Sequence, residues 1–512
     1  MALADGPNSA ADLIVSVNGL DLNALNLIDK FPGHKMSFDL DMFLTGNDLN
    51  NLTGNVQFKD FAYVDSLDDG IHLKEFIVEA DNVSSPKNVH VKSDIVNGGI
   101  SGQYDVYELT KTVKEMLAKP FPALFAEEEN VEGMNMERKK SILNNFGIEN
   151  VNNLYFGFNV DNVEEITEFF NLPVEPLSTV TLEGFITESN ESFYVMVDAP
   201  YLRQKNKLIE GSRIQVSLDR DDHNLLVEAG SIIPLKKGKL NLQVNANGIG
   251  DRLDTDVSWT VDNKESFSGS VNVSTLLKRD SINELTASVD INPTKLIFND
   301  TAWQVHPSKV NIAKHDIKVR DFLVTCEDQF IKINSNATEN PEDDVIVELN
   351  DINLDYVFET LAINNVTFGG RATGKFLASD LFSGIPRFAT PGLDVKGLSY
   401  NNALFGDALI HSAWLNEEKC VTIKADVVQR NGCQSDIDGK IFIAKDSLYF
   451  DFKPERINVA FLKPFMSAFS SDIQGEASGH AVLYGTFKNI NLWGDVHVDS
   501  LRMKLDYTNV YY

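Results

Sequence analysis

The stretch Met36-Ser-Phe-Asp-Leu-Asp-Met-Phe-Leu44 decides the fold class. Its apolar residues recur at every second position, so Met36, Phe38, Leu40, Met42 and Leu44 share one face of an extended strand. Gly238-Lys-Leu-Asn-Leu-Gln-Val-Asn-Ala246 repeats the pattern with Leu240, Leu242, Val244 and Ala246. Asp316-Ile-Lys-Val-Arg320 places Ile317 and Val319 alike, and Cys420-Val-Thr-Ile-Lys-Ala-Asp-Val427 follows suit. The turn signals Asn47-Asp, Asn97-Gly-Gly and Asn431-Gly separate such runs. Many short alternating strands with few helices imply a mainly β architecture.

Helical spacing interrupts the pattern in few places. Asp105 to Lys119 shows i, i+3, i+4 periodicity and stops at Pro120; Glu137 to Phe146 and Val163 to Phe170 are further candidates. Pro120 to Gly133, with Glu127-Glu-Glu129, reads as a solvated loop. The organisation expected is β-rich repeats over 1–104, a helical insertion or plug over 105–150, a β-rich groove segment over 151–290, and β repeats over 291–512 that continue beyond the chain. A weak repeat supports this: a short helix-compatible stretch leads into a glycine-spaced strand pair. Leu22 to Gly46 fits, as do Leu354-Asp-Tyr-Val-Phe-Glu-Thr-Leu361 before Gly374 and Val459-Ala-Phe-Leu-Lys-Pro-Phe465 before Gly485.

Composition excludes several function classes. The 512 residues carry 45 basic and 75 acidic side chains, a formal charge of −30, which repels phosphate backbones and anionic membrane surfaces. No basic, apolar leader opens the chain, no apolar run of about 18 residues occurs, and the end is abrupt, so a fragment of a longer protein is expected. Cys326, Cys420 and Cys433 form no C-x-x-C; a Cys420–Cys433 pair and three small core residues are the two readings.

Catalytic and metal-binding patterns are missing. The nine histidines form no H-x-H, H-x-x-x-H or H-E-x-x-H. Gly248-Ile-Gly-Asp-Arg-Leu253 begins like a dinucleotide fingerprint, but Leu253 stands where the third glycine is needed. Asp219, Asp221 and Asp222 lack the spaced glycine of a calcium loop, and Glu342-Asp-Asp344 beside Pro341 reads as a polar turn. Neither a catalytic residue nor a cofactor is expected.

Against this background, Gly475-Glu-Ala-Ser-Gly-His-Ala-Val-Leu-Tyr-Gly485, continuing through Asn489, Asn491 and Gly494, resembles the glycine-spaced repeat of TamB-type translocation and assembly proteins, within the AsmA-like, bridge-like lipid-transfer group of Gram-negative bacteria. Leu44 to Phe58 holds a looser copy. Ile291 to Trp303 with Val310-Asn-Ile312 and Phe322-Leu-Val324, Asn402 to Trp414, and Ile457 to Phe465 extend the resemblance over roughly 290–512. It implies an elongated, curled, U-shaped sheet (a β-taco) with an apolar groove and a few short helices. It implies a periplasmic protein anchored in the inner membrane by a segment absent here. A phospholipid cargo and a barrel-forming outer-membrane partner of the TamA or BamA type are implied too. The groove residues expected on this basis are Phe38, Leu40, Met42, Leu240, Leu242, Val244, Ile317, Val319 and Leu483. A purely structural or adhesive β-rod and a carbohydrate-active β-helix enzyme are the competing readings. The scattered Trp259, Trp303, Trp414 and Trp493 speak against the enzyme. The groove requires that the apolar sides of successive strands stay uncovered.

Overall fold

Alternating side chains build antiparallel strands whose two faces differ, and the chain is mainly β with a few short helices. The computed structural model describes the chain except for residues 1, 4–8, 28–30, 126–151, 162, 171, 205–206, 236–237, 263, 299, 339, 341–342, 356–367, 383–385, 401–402, 430–431, 467–469 and 487–488. The candidate helix 137–146 lies outside the described residues, as does most of the stretch 354–361. The chain divides into two compact units: residues 1–285 with 296–300, and residues 286–295 with 301–512.

In the first unit, strands follow one another as an antiparallel meander from Ala10–Leu20 to Lys264–Arg279. Register fixes which residues share a face. Leu13 faces Met42, Met42 faces Val56, and the row runs on through Val78 and Val91 to Gly98. It continues through Phe158, Leu182, Val197, Ile214 and Ala229. Val244, Val257 and Val271 complete it. The adjacent row on the opposite face is polar almost throughout, for instance Asp41, Gln57, Lys92, Asn97, Asn159, Asp198, Arg213 and Gln243. There Arg213 Nη2 donates to Asp198 Oδ2 at 2.7 Å and Gln57 Nε2 to Glu75 Oε1 at 2.7 Å. Ile14 is an exception at 79% exposed.

The second unit runs from strand Ser308–Ala313 to Asn489–Leu505 under the same rule. Ile352, Ala372, Val395, Ala408 and Val427 form one row across five strands. A short 3-10 turn, Val459–Leu462, followed by the helix Lys463–Met466, brings Val459 onto this row. Asn458 starts the turn by accepting the Ala460 N–H at 2.9 Å, a side-chain cap. Lys463 Nζ ties the helix to Asp472 Oδ1 at 2.8 Å. Val395, Val427 and Val459 are 0% exposed, the signature of a closed core.

Four β-bulges share one device. Gly19, Asp321, Asp351 and Gly397 take left-handed φ values of 69°, 50°, 54° and 65° where the register shifts. The N–H of each is accepted by a side chain on the neighbouring strand: Ser37 Oγ at 2.9 Å, Asn334 Oδ1 at 3.0 Å, Thr373 Oγ1 at 2.9 Å and Asp407 Oδ1 at 2.9 Å. The extra residue resets the alternation and increases local twist, which curls a sheet. Thus Val319 and Phe322 both face inward although three positions apart.

One sequence expectation changes. Asn97-Gly-Gly is no turn but the interior of strand Val96–Gln103; the turn falls at Asp94-Ile95, where Ser93 Oγ accepts the Val96 N–H at 2.8 Å. Gly479 and Gly494 stand in unbroken register. Each lies inside a strand where a Cβ would meet the facing carbonyl, at 2.4 Å from Asp495 O and 2.5 Å from His480 O. They let two backbones approach closely.

Candidate apolar groove

The inner face of the first unit is apolar yet poorly covered. Its side chains from Leu13 through Val271 are half-buried rather than buried, and Ile214, inside the row, is 49% exposed. The face shields itself by size: Phe38 meets Phe58 edge-on at 5.5 Å between ring centroids, and Phe58 meets Phe76 at 6.5 Å. Tyr155 points the other way and is exposed, whereas Leu154, Phe156 and Phe158 line the face.

Helices lie at both strand ends. At one end, helix α1 (Leu109–Ala118) and the turn α2 (Pro122–Phe125) pack Met116 and Phe121 onto Phe193, Leu218 and Leu225. Asp105 Oδ1 accepts the Tyr107 N–H at 3.0 Å in the turn that leads into α1, and Pro120 follows the helix end. A buried polar knot holds it: Asn152 Nδ2 donates to Thr112 Oγ1 at 2.8 Å and to Glu188 Oε2 at 2.9 Å. At the other end, the helix Glu164–Phe169 brings Phe169 against Phe31 at 4.4 Å, His34 at 5.4 Å and Tyr63 at 5.8 Å. Burial, with Asp21 nearby, pushes the Tyr63 hydroxyl above its ordinary pKa. Glu165 Oε2 accepts the His72 N–H at 2.7 Å, joining this helix to strand Gly70–Asp81.

Phe38, Leu40 and Met42 lie on this face in strand Lys35–Thr45, and Leu240, Leu242 and Val244 lie on it in strand Lys239–Ile249. The remaining three belong to the second unit. Ile317 and Val319 face Ala337 and Ser335, both buried, and Leu483 faces Phe450 and Leu492. Sequence reasoning missed the middle of the face. Asn153-Leu-Tyr-Phe-Gly-Phe-Asn-Val160 reads as nearly continuous apolar sequence, and only its even positions line the face. It missed the glycines beneath rings as well: a Cβ on Gly184 would lie 2.7 Å from Phe156 Cζ, and one on Gly269 2.4 Å from Trp259 Cζ2.

The residues that line the face offer apolar contact. No disulfide joins Cys326, Cys420 and Cys433, and burial raises the Cys326 and Cys420 thiols, which disfavours the reactive thiolate. Asp219 Oδ1 accepts the Asp221 N–H at 2.8 Å within its own turn, and Gly250-Asp251 is the hairpin turn of the glycine pair singled out above. Among the described residues, no group of three His, Cys, Asp or Glu is placed to hold a metal ion, and no helix is long and apolar enough to cross a membrane. No family model, curated protein or solved structure matches this chain.

Proposed function

We propose that the chain is a non-catalytic, TamB- or AsmA-like bridge segment that shields phospholipid acyl chains on the inner face of its first unit. The observation that carries this reading is the row from Leu13 to Val271: apolar in strand after strand, fixed by register, and half-exposed. An acyl chain of about 16 carbons resists leaving a bilayer by roughly 12 kcal/mol, at about 0.8 kcal/mol per CH₂. A continuous apolar face lowers that barrier, and no reactive group is needed. Such a surface on a folded chain marks a site of interaction. In the full-length protein the segment stands in the periplasm, anchored in the inner membrane. It supports outer-membrane protein assembly with a barrel partner of the TamA or BamA type.

The test is mass spectrometry of lipids that co-purify with the chain, combined with photo-crosslinking residues at Leu40 and Leu483. The proposal expects a phospholipid adduct at Leu40. Absence of any adduct at both positions, with no lipid retained, leaves the structural or adhesive rod. The closed core around Val395, Val427 and Val459 is the observation that favours that second reading.

A further inference from the structure

Resting on the lipid-shielding reading, we propose that residues 109–125 form a displaceable stopper that competes with acyl chains for one end of the apolar face. Met116 and Phe121 cover Phe193, Leu218 and Leu225, which lie on the face that carries the candidate groove. The stopper thus occupies with a thioether and a ring what a hydrocarbon chain would otherwise cover. Its seat is shaped for it. Gly248 stands between Leu225 and Leu253 in register, and a Cβ on Gly248 would lie 2.3 Å from Phe121 Cζ. The missing side chain is therefore the notch that admits the ring.

Several of the attachments are of a kind that can release. Below, the stopper makes apolar contacts, and the Asn152–Thr112–Glu188 knot is the buried directional attachment that release must break. Around its edge, hydrogen bonds run to hairpin turns and strand ends. Ala123 N donates to Asp251 Oδ1 at 2.7 Å, Asp251 N donates to Pro120 O at 2.8 Å, and Arg279 Nε donates to Ala123 O at 2.8 Å. Lys119 pairs with Glu191, and both side chains are partly exposed, where water competes. Helix α1 has only 10 residues, so its helical state depends on the surface it rests on. A ligand that takes that surface removes the reason for the helix to stay.

The experiment places a photo-crosslinking residue at Leu218, beneath the stopper, or at Leu40, away from it, and exposes the full chain to palmitoyl-oleoyl phosphatidylcholine vesicles. Adducts are read by intact-protein mass spectrometry. With the native stopper, labelling at Leu218 is expected to fall at least fivefold below that at Leu40. Gly248→Val unseats Phe121 and raises the Leu218-to-Leu40 ratio at least fivefold. The double variant Thr112→Cys, Asn152→Cys joins the pair that now shares a hydrogen bond; its oxidation suppresses the Leu218 adduct and reduction restores it. If Leu40 is labelled and the Leu218 signal ignores both the glycine change and the disulfide, the stopper is a fixed cap and the inference falls. If Leu40 itself is unlabelled, the lipid reading fails and takes the stopper with it. Should Gly248→Val fail to fold, the oxidised and reduced forms of the cysteine pair decide alone.

Discussion

The two units obey the same alternation rule and reach opposite ends. In the second, the central inner row is rich in small residues: Ala372 and Ala408 alternate with Val395 and Val427. Small side chains let a covering backbone come close, and the turn carrying Val459 does so. In the first unit the corresponding surface holds Phe38, Phe58 and Phe76, whose rings lean on one another, together with Phe156 and Phe158. Among the described residues, cover comes at the strand ends, from α1 and from the helix Glu164–Phe169. Side-chain size on the inner face, more than its hydrophobicity, separates a sealed core from an open one.

The largest effect expected tests this difference directly. Val427→Asp buries an unpaired carboxylate and should lower unfolding free energy by about 4 kcal/mol or more, measured by denaturant titration. Val244→Asp, on the half-open face, should cost about 1–2 kcal/mol but abolish lipid retention. Equal losses at the two sites would erase the distinction between the units. Next, Leu393→Ala should cost about 3 kcal/mol, within the range for a sealed core. Leu242→Ala should cost about 1 kcal/mol, because its surroundings are partly open already. A larger loss at Leu242 than at Leu393 would show that the first unit is the better packed.

Phe169→Ala should remove about 2 kcal/mol of local stability from the aromatic contact with Phe31, His34 and Tyr63. Limited proteolysis should then speed up at bonds of the first unit and leave the second unchanged; cleavage in both would refute local action. The smallest effect concerns acid. A hydrogen bond from Lys463, aided by its charge, holds the Asp472 carboxyl below its ordinary range. A depressed carboxylate stabilises fully above its unfolded value, about 4. That contribution fades as pH falls through the lower folded value. Asp472→Asn should therefore flatten the acid limb of the melting profile of the second unit, and an unaltered limb would remove this link from the account.

Sequence alone determined the β class and the two-faced strands, because period-two alternation is a local property that a strand cannot disguise. Leu40, Met42, Leu242 and Val244 were legible for that reason, and so was the helix ending before Pro120. Tertiary structure decided the rest. The bulges at Asp321 and Asp351 depend on partners from another strand, Asn334 and Thr373, which no local pattern reveals. Whether an apolar face is sealed depends on what crosses it. An alternating strand looks the same under Val459 as beneath no cover at all, because the free energy of burial belongs to the pair of surfaces and not to either sequence.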